Sequence, residues 1–319
     1  MQTVIGIDLQ QAKLFLEQGQ VIGIPTETVY GLAGNALNEN AVLRIFKAKN
    51  RPYFDPLIVH THALEEVAKY VEHIPEKAAE LFNKFAPGPI TILLKKKAMV
   101  PDLVTSGLDS VAIRIPNHPL TLELLKSLDF PLAAPSANPF GYISPTTSYH
   151  VYDQLHGRIP YILDGGATEV GVESTIIGFE HSQPVVYRLG GLAVEEIEKV
   201  IGKVKVQTTD SSNPKAPGLL KSHYAPKKKL VIRDLQHFNA EEFAGKKVGI
   251  LAFNQLLPTV PQAQQLLLSE SGSLNEVAKN LFAAMRKLDA SEVDIICAAQ
   301  FPEEGLGRAI NDRLRRAAA

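Results

Sequence analysis

Val21-Ile22-Gly23-Ile24-Pro25-Thr26-Glu27-Thr28-Val29-Tyr30-Gly31-Leu32 decides the fold. The short β-branched run Val21 to Ile24, closed by a proline, reads as a strand. Two hydroxyls, a carboxylate and a phenol follow its end, where open α/β sheets present groups to ligands. The same residues also suit a turn with helix-capping threonines, and the stretch alone leaves both readings open.

Outward from it, Val111 to Ile115, Tyr161 to Leu163 and Thr175 to Ile177 are further strand-like runs interleaved with helical periodicity, which predicts an α/β fold. Asn38 can cap a helix in which Val42, Ile45 and Phe46 share one face, leaving Lys47 and Lys49 to project elsewhere. A second helix runs from Pro75 to about Phe85 and stops at Pro87-Gly88-Pro89. Between Gln207 and Pro217 the chain turns polar and proline-bearing, with no apolar face to bury, and reads as a linker. Beyond it, Leu230 to Ile232, Val248 to Leu251 and Asp294 to Ala298 read as strands, and Leu274 to Leu288 and Gly307 to Ala318 as helices. The expected division is residues 1–204, a linker over 205–227, and a small α/β domain over 228–319.

Composition narrows the function. The 319 residues are 45% hydrophobic, enough for a packed core. With 33 basic and 34 acidic residues, no overall field favours nucleic acid or an anionic membrane. No apolar run approaches the ~20 residues of a membrane span. Met1 to Gln11 carries Asp8 and lacks the regions of a secretory signal. A single cysteine, Cys297, rules out an internal disulfide framework and fits a reducing compartment, so a cytoplasmic location is expected.

Three polar clusters can carry chemistry. The first is Pro25 to Leu32. In the second, Lys47-Ala48-Lys49-Asn50-Arg51-Pro52 leads into Asp55-Pro56-Leu57 and His60; its cations could clamp phosphate oxygens, or simply compensate a helix C-terminus. In the third, Ala133-Ala134-Pro135-Ser136-Ala137-Asn138, small residues admit a ligand to the backbone beside two hydrogen-bonding side chains; a plain turn is the alternative. Arg114 and Arg188 stand in apolar runs, where a charge is costly unless paired. A ligand anion is one partner and solvent on an exposed face the other. Ser174 follows Gly171-Val172-Glu173 at another strand entry. No P-loop, no Gly-x-Gly-x-x-Gly after a strand, no His-Glu-x-x-His and no thiolate zinc set is present, so a nucleotide must be held by another cationic constellation.

In their order, Pro25 to Leu32, Lys49-Asn50-Arg51-Pro52 through Pro56 to His60, Pro87 to Thr91, Ala134 to Asn138 and Glu173-Ser174-Thr175 resemble the Sua5/YrdC family of threonylcarbamoyl-AMP synthases. Ala216-Pro217-Gly218, His223-Tyr224-Ala225-Pro226, Gly305 to Ile310 and Arg313-Leu314 resemble its Sua5 subfamily. The resemblance implies a YrdC-like twisted, open α/β domain with a large cavity, joined to a small C-terminal Rossmann-like α/β domain. It implies a nucleotidyltransferase that joins L-threonine, bicarbonate and ATP into threonylcarbamoyl-AMP and diphosphate for N6-threonylcarbamoyladenosine in tRNA. A downstream tRNA threonylcarbamoyl transferase machinery completes the modification, and tRNA binding by this chain is not required.

By the same resemblance, Lys49, Arg51, Ser136 and Asn138 form the catalytic set, and Thr28, His60, Arg114, the backbone near Ala134, and Ser174 recognise L-threonine. ATP falls to Arg51, Asp55, Ser110, Ser136, Ser144, Arg188 and Tyr224, with Mg2+ carried by the triphosphate and no protein metal site. Asp55 stands where the family often has asparagine, which brings a negative charge near phosphates. A carbamoyl transferase of the same fold is disfavoured by the single cysteine, which cannot build the accompanying zinc finger. A double-stranded RNA or nucleotide binding module of this fold is the other alternative.

Overall fold

The computed structural model describes residues 2–207, 222–243 and 245–319. Two sheets organise them. The larger has eleven strands in the order Val4–Gly6, Tyr161–Leu163, Ile22–Ile24, Gly31–Asn35, Leu132–Ala133, Ile58–His60, Ser110–Arg114, Ile90–Lys95, Thr175–Glu180, Gln183–Arg188 and Lys205–Val206. Its pairings are mixed: Ile22–Ile24 runs antiparallel to Gly31–Asn35, whereas Ile58–His60 lies parallel to Ser110–Arg114 and sets His60 opposite Arg114. Helices cover the sheet with apolar stripes. In Glu39–Lys49 these are Val42, Ile45 and Phe46, packed in the main core with Leu32, Val59 and Ile113.

The smaller sheet is wholly parallel, ordered Lys229–Ile232, Ile295–Ala298, Val248–Ala252 and Gln265–Leu267. The helices Leu274–Ala290 and Gly307–Ala317 pack on it and turn towards the larger unit. Val29, Ile143 and Val172 of the larger unit share a buried cluster with Tyr224, Phe282 and Leu314. Arg286 donates to Ser144 O at 3.2 Å across the same boundary. The two units therefore share this buried cluster. No helix among the described residues is long and apolar enough to cross a membrane.

Of the expected linker, Ala216, Pro217 and Gly218 lie outside the described residues, and His223 and Tyr224 lie within them.

Candidate active site

The helix Glu39–Lys49 starts where Asn38 Oδ1 accepts from Asn40 N at 3.0 Å and Ala41 N at 3.3 Å, and it ends at Asn50 in a left-handed conformation, φ 52°. That abrupt end sends Lys49 inward. Lys49 is no exposed helix-end cation: its Nζ donates to Ser136 O at 2.5 Å and Asn138 O at 2.6 Å, and burial pushes the amine well below the usual lysine range. Lysine thus fastens the Ser-x-Asn loop through its backbone. The Asn138 amide donates to Pro139 O and Tyr142 O, while its Oδ1 is buried with no hydrogen-bond partner among the described residues.

Arg51, buried as well, donates to Asp55 O at 3.1 Å and Pro56 O at 2.8 Å and faces the Asp55 carboxylate at 2.8 Å. Burial works against both charges, and each offsets only part of the cost to the other, so Asp55 is held above the usual carboxylate range and Arg51 below the usual guanidinium range. Asp55 consequently stands as the ion-pair partner of Arg51.

Arg114 is buried, contrary to the exposed-face alternative. One terminal nitrogen lies 2.7 Å from Glu27 Oε1, and Nε donates to Gly88 O at 3.3 Å. Glu27 Oε2 accepts from Asn117 N at 3.0 Å, which fixes the carboxylate. Gly88 is required where it stands, since a Cβ there would run into Phe85 O. The His60 ring beside Arg114 is held neutral, its pKa lowered to about 3 by burial and by that guanidinium.

These side chains meet at one cavity, lined by Val29, Arg51, Ile58, His60, Arg114, Ala134, Pro135, Ser136, Glu173, Arg188, His223 and Tyr224. Arg188 donates through Nε to Ser174 O at 3.1 Å and through a terminal nitrogen to Ser174 Oγ at 3.1 Å; burial brings its pKa down to about 10. Glu173 Oε1 accepts from Ser144 Oγ at 2.5 Å. Burial alone would raise the Glu173 pKa, but Arg313, Arg188 and Ser144 hold it below the usual carboxylate range. His223 and Tyr224 close the cavity from the C-terminal side. Tyr224 is in the left-handed region, φ 64°, and stacks on Phe282 at 5.5 Å between ring centroids. With both rings in place the free volume is about 40 Å3. A ligand-sized pocket spans roughly 300–1,000 Å3.

Not every expected residue faces this space. Thr28 is buried with its Oγ1 2.9 Å from Thr26 Oγ1. Ser174 Oγ lies 2.7 Å from Thr91 Oγ1, behind Arg188. Ser144 meets the site through Glu173. Ser110 stands apart, at the opposite end of its strand from Arg114, in a separate cleft with Leu93, Lys95, Asp109, Glu180 and Tyr187. Sequence reasoning passed over Glu27 as the partner of Arg114 and Glu173 as a cavity wall. Both lie inside quoted motifs, which was the available signal. No cluster of three or more His, Cys, Asp or Glu able to hold a metal ion occurs among the described residues.

An α/β unit whose cavity gathers three buried arginines, each fixed by protein partners, is a preorganised anion receptor. Residues 14–190 match the family profile described as telomere recombination, and residues 192–319 match that of the threonylcarbamoyl-AMP synthase C-terminal domain. The chain is 42% identical over 317 residues to a threonylcarbamoyl-AMP synthase of Pyrococcus abyssi, covering 95% of this chain and 92% of that one. It is 40% identical over 321 residues to the Bacillus subtilis threonylcarbamoyl-AMP synthase, covering 97% and 92%. The crystal structure of P. abyssi Sua5 complexed with L-threonine superposes with a TM-score of 0.91 at 40% identity, covering 99% of this chain and 96% of that one. The chain belongs to the Sua5/YrdC family, in its Sua5 subfamily with the additional C-terminal unit.

Proposed function

We propose that this protein is an L-threonylcarbamoyladenylate synthase, a nucleotidyltransferase acting on L-threonine, bicarbonate and ATP. The observation that carries the reading is the convergence of Arg51, Arg114 and Arg188 on one cavity beside the Ser136–Asn138 loop. The threonine-bound relative of the same fold supports the choice of amino acid.

The threonine amine attacks the bicarbonate carbon; the N–C bond forms, water leaves, and N-carboxy-threonine results. A carboxylate oxygen of that species attacks the α-phosphorus of ATP, the bond to the β-phosphate breaks, and diphosphate departs with the released charge. Arg114, its orientation set by Glu27 and Gly88 O, grips the threonine carboxylate beside neutral His60 and the Ala134 backbone. Thr28 and Ser174 shape that end from behind. Arg51 and Arg188 take the phosphates, with Asp55 orienting Arg51 and Ser144 acting through Glu173. Ser136 and Asn138 contribute hydrogen bonds from a loop that Lys49 holds in place. Ser110, which lines a separate cleft, is given no part in this step. Where developing charge is stabilised by groups already fixed, little reorganisation is needed at the moment of reaction.

Mg2+ would be carried by the oxygens of the triphosphate and would neutralise part of their charge. Because the cavity has so little room with His223 and Tyr224 in place, nucleotide entry requires them to withdraw, and their return excludes water from a hydrolysable adenylate. The product passes to a tRNA threonylcarbamoyl transferase machinery in the cytoplasm. The chain is read as residues 1–204 for the chemistry and 228–319 for the smaller unit, with 205–227 between them giving the strand Lys205–Val206 to the larger sheet and His223 and Tyr224 to the cavity. Mass spectrometry of a reaction with isotope-labelled bicarbonate tests the reading: the label should appear in threonylcarbamoyl-AMP, and unlabelled or absent adenylate would refute it.

A further inference from the structure

The final helix, Gly307–Ala317, belongs to the smaller unit, yet one of its side chains, Arg313, ends against two residues that line the cavity, Glu173 and Tyr224. Arg313 is fully buried. Its Nε donates to Glu173 Oε2 at 2.8 Å, one terminal nitrogen donates to Leu189 O at 2.8 Å, and the other donates to Asp312 Oδ2 at 2.7 Å. Its guanidinium carbon lies 5.0 Å from the Tyr224 ring centroid, within cation–π range. Glu173 and Tyr224 both line the cavity, and Leu189 follows Arg188 in the chain. The same helix receives His223 N on Arg316 O at 3.2 Å.

A buried ion pair is an inefficient way to hold two units together, because apolar residues of similar volume commonly serve as well or better. What a guanidinium adds is a fixed charge and direction for its partners. Glu173 has one oxygen on Ser144 and the other on Arg313, so both are engaged inside a cavity that must receive anions.

We propose that Arg313 is a positioning residue for the nucleotide side of the cavity, holding Glu173 ionised and fully engaged and supporting the Tyr224 ring from beneath. This assignment rests on the reading of the site as an ATP-dependent one. Without Arg313, Glu173 is a poorly compensated buried carboxylate. It takes up a proton more readily, or it competes with the phosphates for the neighbouring cations. The charged and titratable groups facing Glu173 are Arg313 from the final helix, Arg188 from its strand, Lys49 from the helix Glu39–Lys49, and His223 and Tyr224. Burial keeps the last two from changing charge near neutrality, His223 lowered to about 3 and Tyr224 raised to about 12. Lys49, whose amine burial also brings down, remains, so a displaced acid limb that disappears with the carboxyl reports Glu173 and one that persists reports the lysine.

The test uses the full chain as Arg313→Met, Arg313→Lys, Glu173→Gln and the Arg313→Met/Glu173→Gln double variant. ATP affinity is measured by calorimetry, the KM of each substrate and the pH profile by pyrophosphate release, and stability by urea unfolding. Arg313→Met should weaken ATP about tenfold, leave the threonine KM within about twofold, and move the acid limb of kcat/KM for ATP upward by about one pH unit or more. Arg313→Lys should show the same changes at smaller amplitude, and it carries the test if the methionine variant does not fold. The double variant should lose the pH displacement. Wild-type ATP affinity and pH profile in a folded Arg313→Lys protein, or a displacement that persists in the double variant, would overturn the assignment. Wild-type protein that neither binds ATP nor releases pyrophosphate would instead overturn the reading of the site on which it rests.

Discussion

Replacing Lys49 with methionine separates two roles for this residue: a group that touches the substrate, or one that builds the loop that does. Methionine keeps most of the side-chain volume but cannot donate. Asn138 O would lose the donor it has at 2.6 Å, while Ser136 O would lose one donor at 2.5 Å and keep Asn138 N at 3.1 Å. One buried carbonyl left without a partner costs about 1–3 kcal/mol, and the weakened second one adds a fraction of that. Relief of the desolvation of a buried amine offsets part of the loss, so the net destabilisation should be about 1–3 kcal/mol. Urea unfolding should show a lower midpoint with an unchanged slope. Threonine-dependent pyrophosphate release should fall at least about a hundredfold, because the loop carrying Ser136 and Asn138 loses its anchor. A methionine variant with the wild-type urea midpoint and no activity would refute this account and put the amine on the substrate. Normal turnover in a destabilised variant would remove the loop from the chemistry.

Arg114→Lys should raise the threonine KM about tenfold and the ATP KM no more than about twofold, since a lysine cannot grip a carboxylate with two parallel donors while also meeting Glu27 and Gly88 O; equal losses in steady-state kinetics would move Arg114 out of the threonine site. His60 and His223 are held neutral with pKa values of about 3, so the unfolded chain binds protons that the folded one does not as pH falls below the ordinary histidine value. Stability should therefore be insensitive to these two above about pH 6.5 and fall by about 1.4 kcal/mol per pH unit for each between pH 6 and 4. Urea midpoints across that range should show it, with a shallower slope in His223→Gln; an identical slope contradicts the burial argument. Gly190→Ala would place a Cβ against Glu173 O and the Ser174 carbonyl carbon, and should cost at least about 2 kcal/mol and weaken ATP binding. A wild-type urea midpoint would show that this close approach is not required.

Elements with strong local signals were legible in the sequence. The Asn38 cap, the strand Tyr161–Leu163 and the helix Leu274–Ala290 follow from capping chemistry, β-branching and apolar period. The strand Gly31–Asn35 was not, because Gly31-Leu32-Ala33-Gly34-Asn35 carries no β-branched residue; its place between two partners stabilises it. The motifs located the cavity, but which charges are buried, and against what, depends on long-range contacts. Lys49 looks like an ordinary helix-end lysine until its partners, 87 and 89 residues away, are known. Arg313 and Glu173 are 140 residues apart and in different units. Ser110 and Arg114 share one strand, but the strand's own length carries them to different ends.

We propose that the arginines of this cavity serve threonine-dependent adenylation. That role is tested most directly by incubating the protein with ATP, Mg2+ and bicarbonate, adding each of the twenty amino acids in turn, and measuring pyrophosphate. The account predicts release with L-threonine well above every other amino acid, abolished when bicarbonate is withheld and strongly reduced in Arg51→Ala. Release that is indifferent to the amino acid, or that continues unchanged in a folded Arg51→Ala protein, would contradict it.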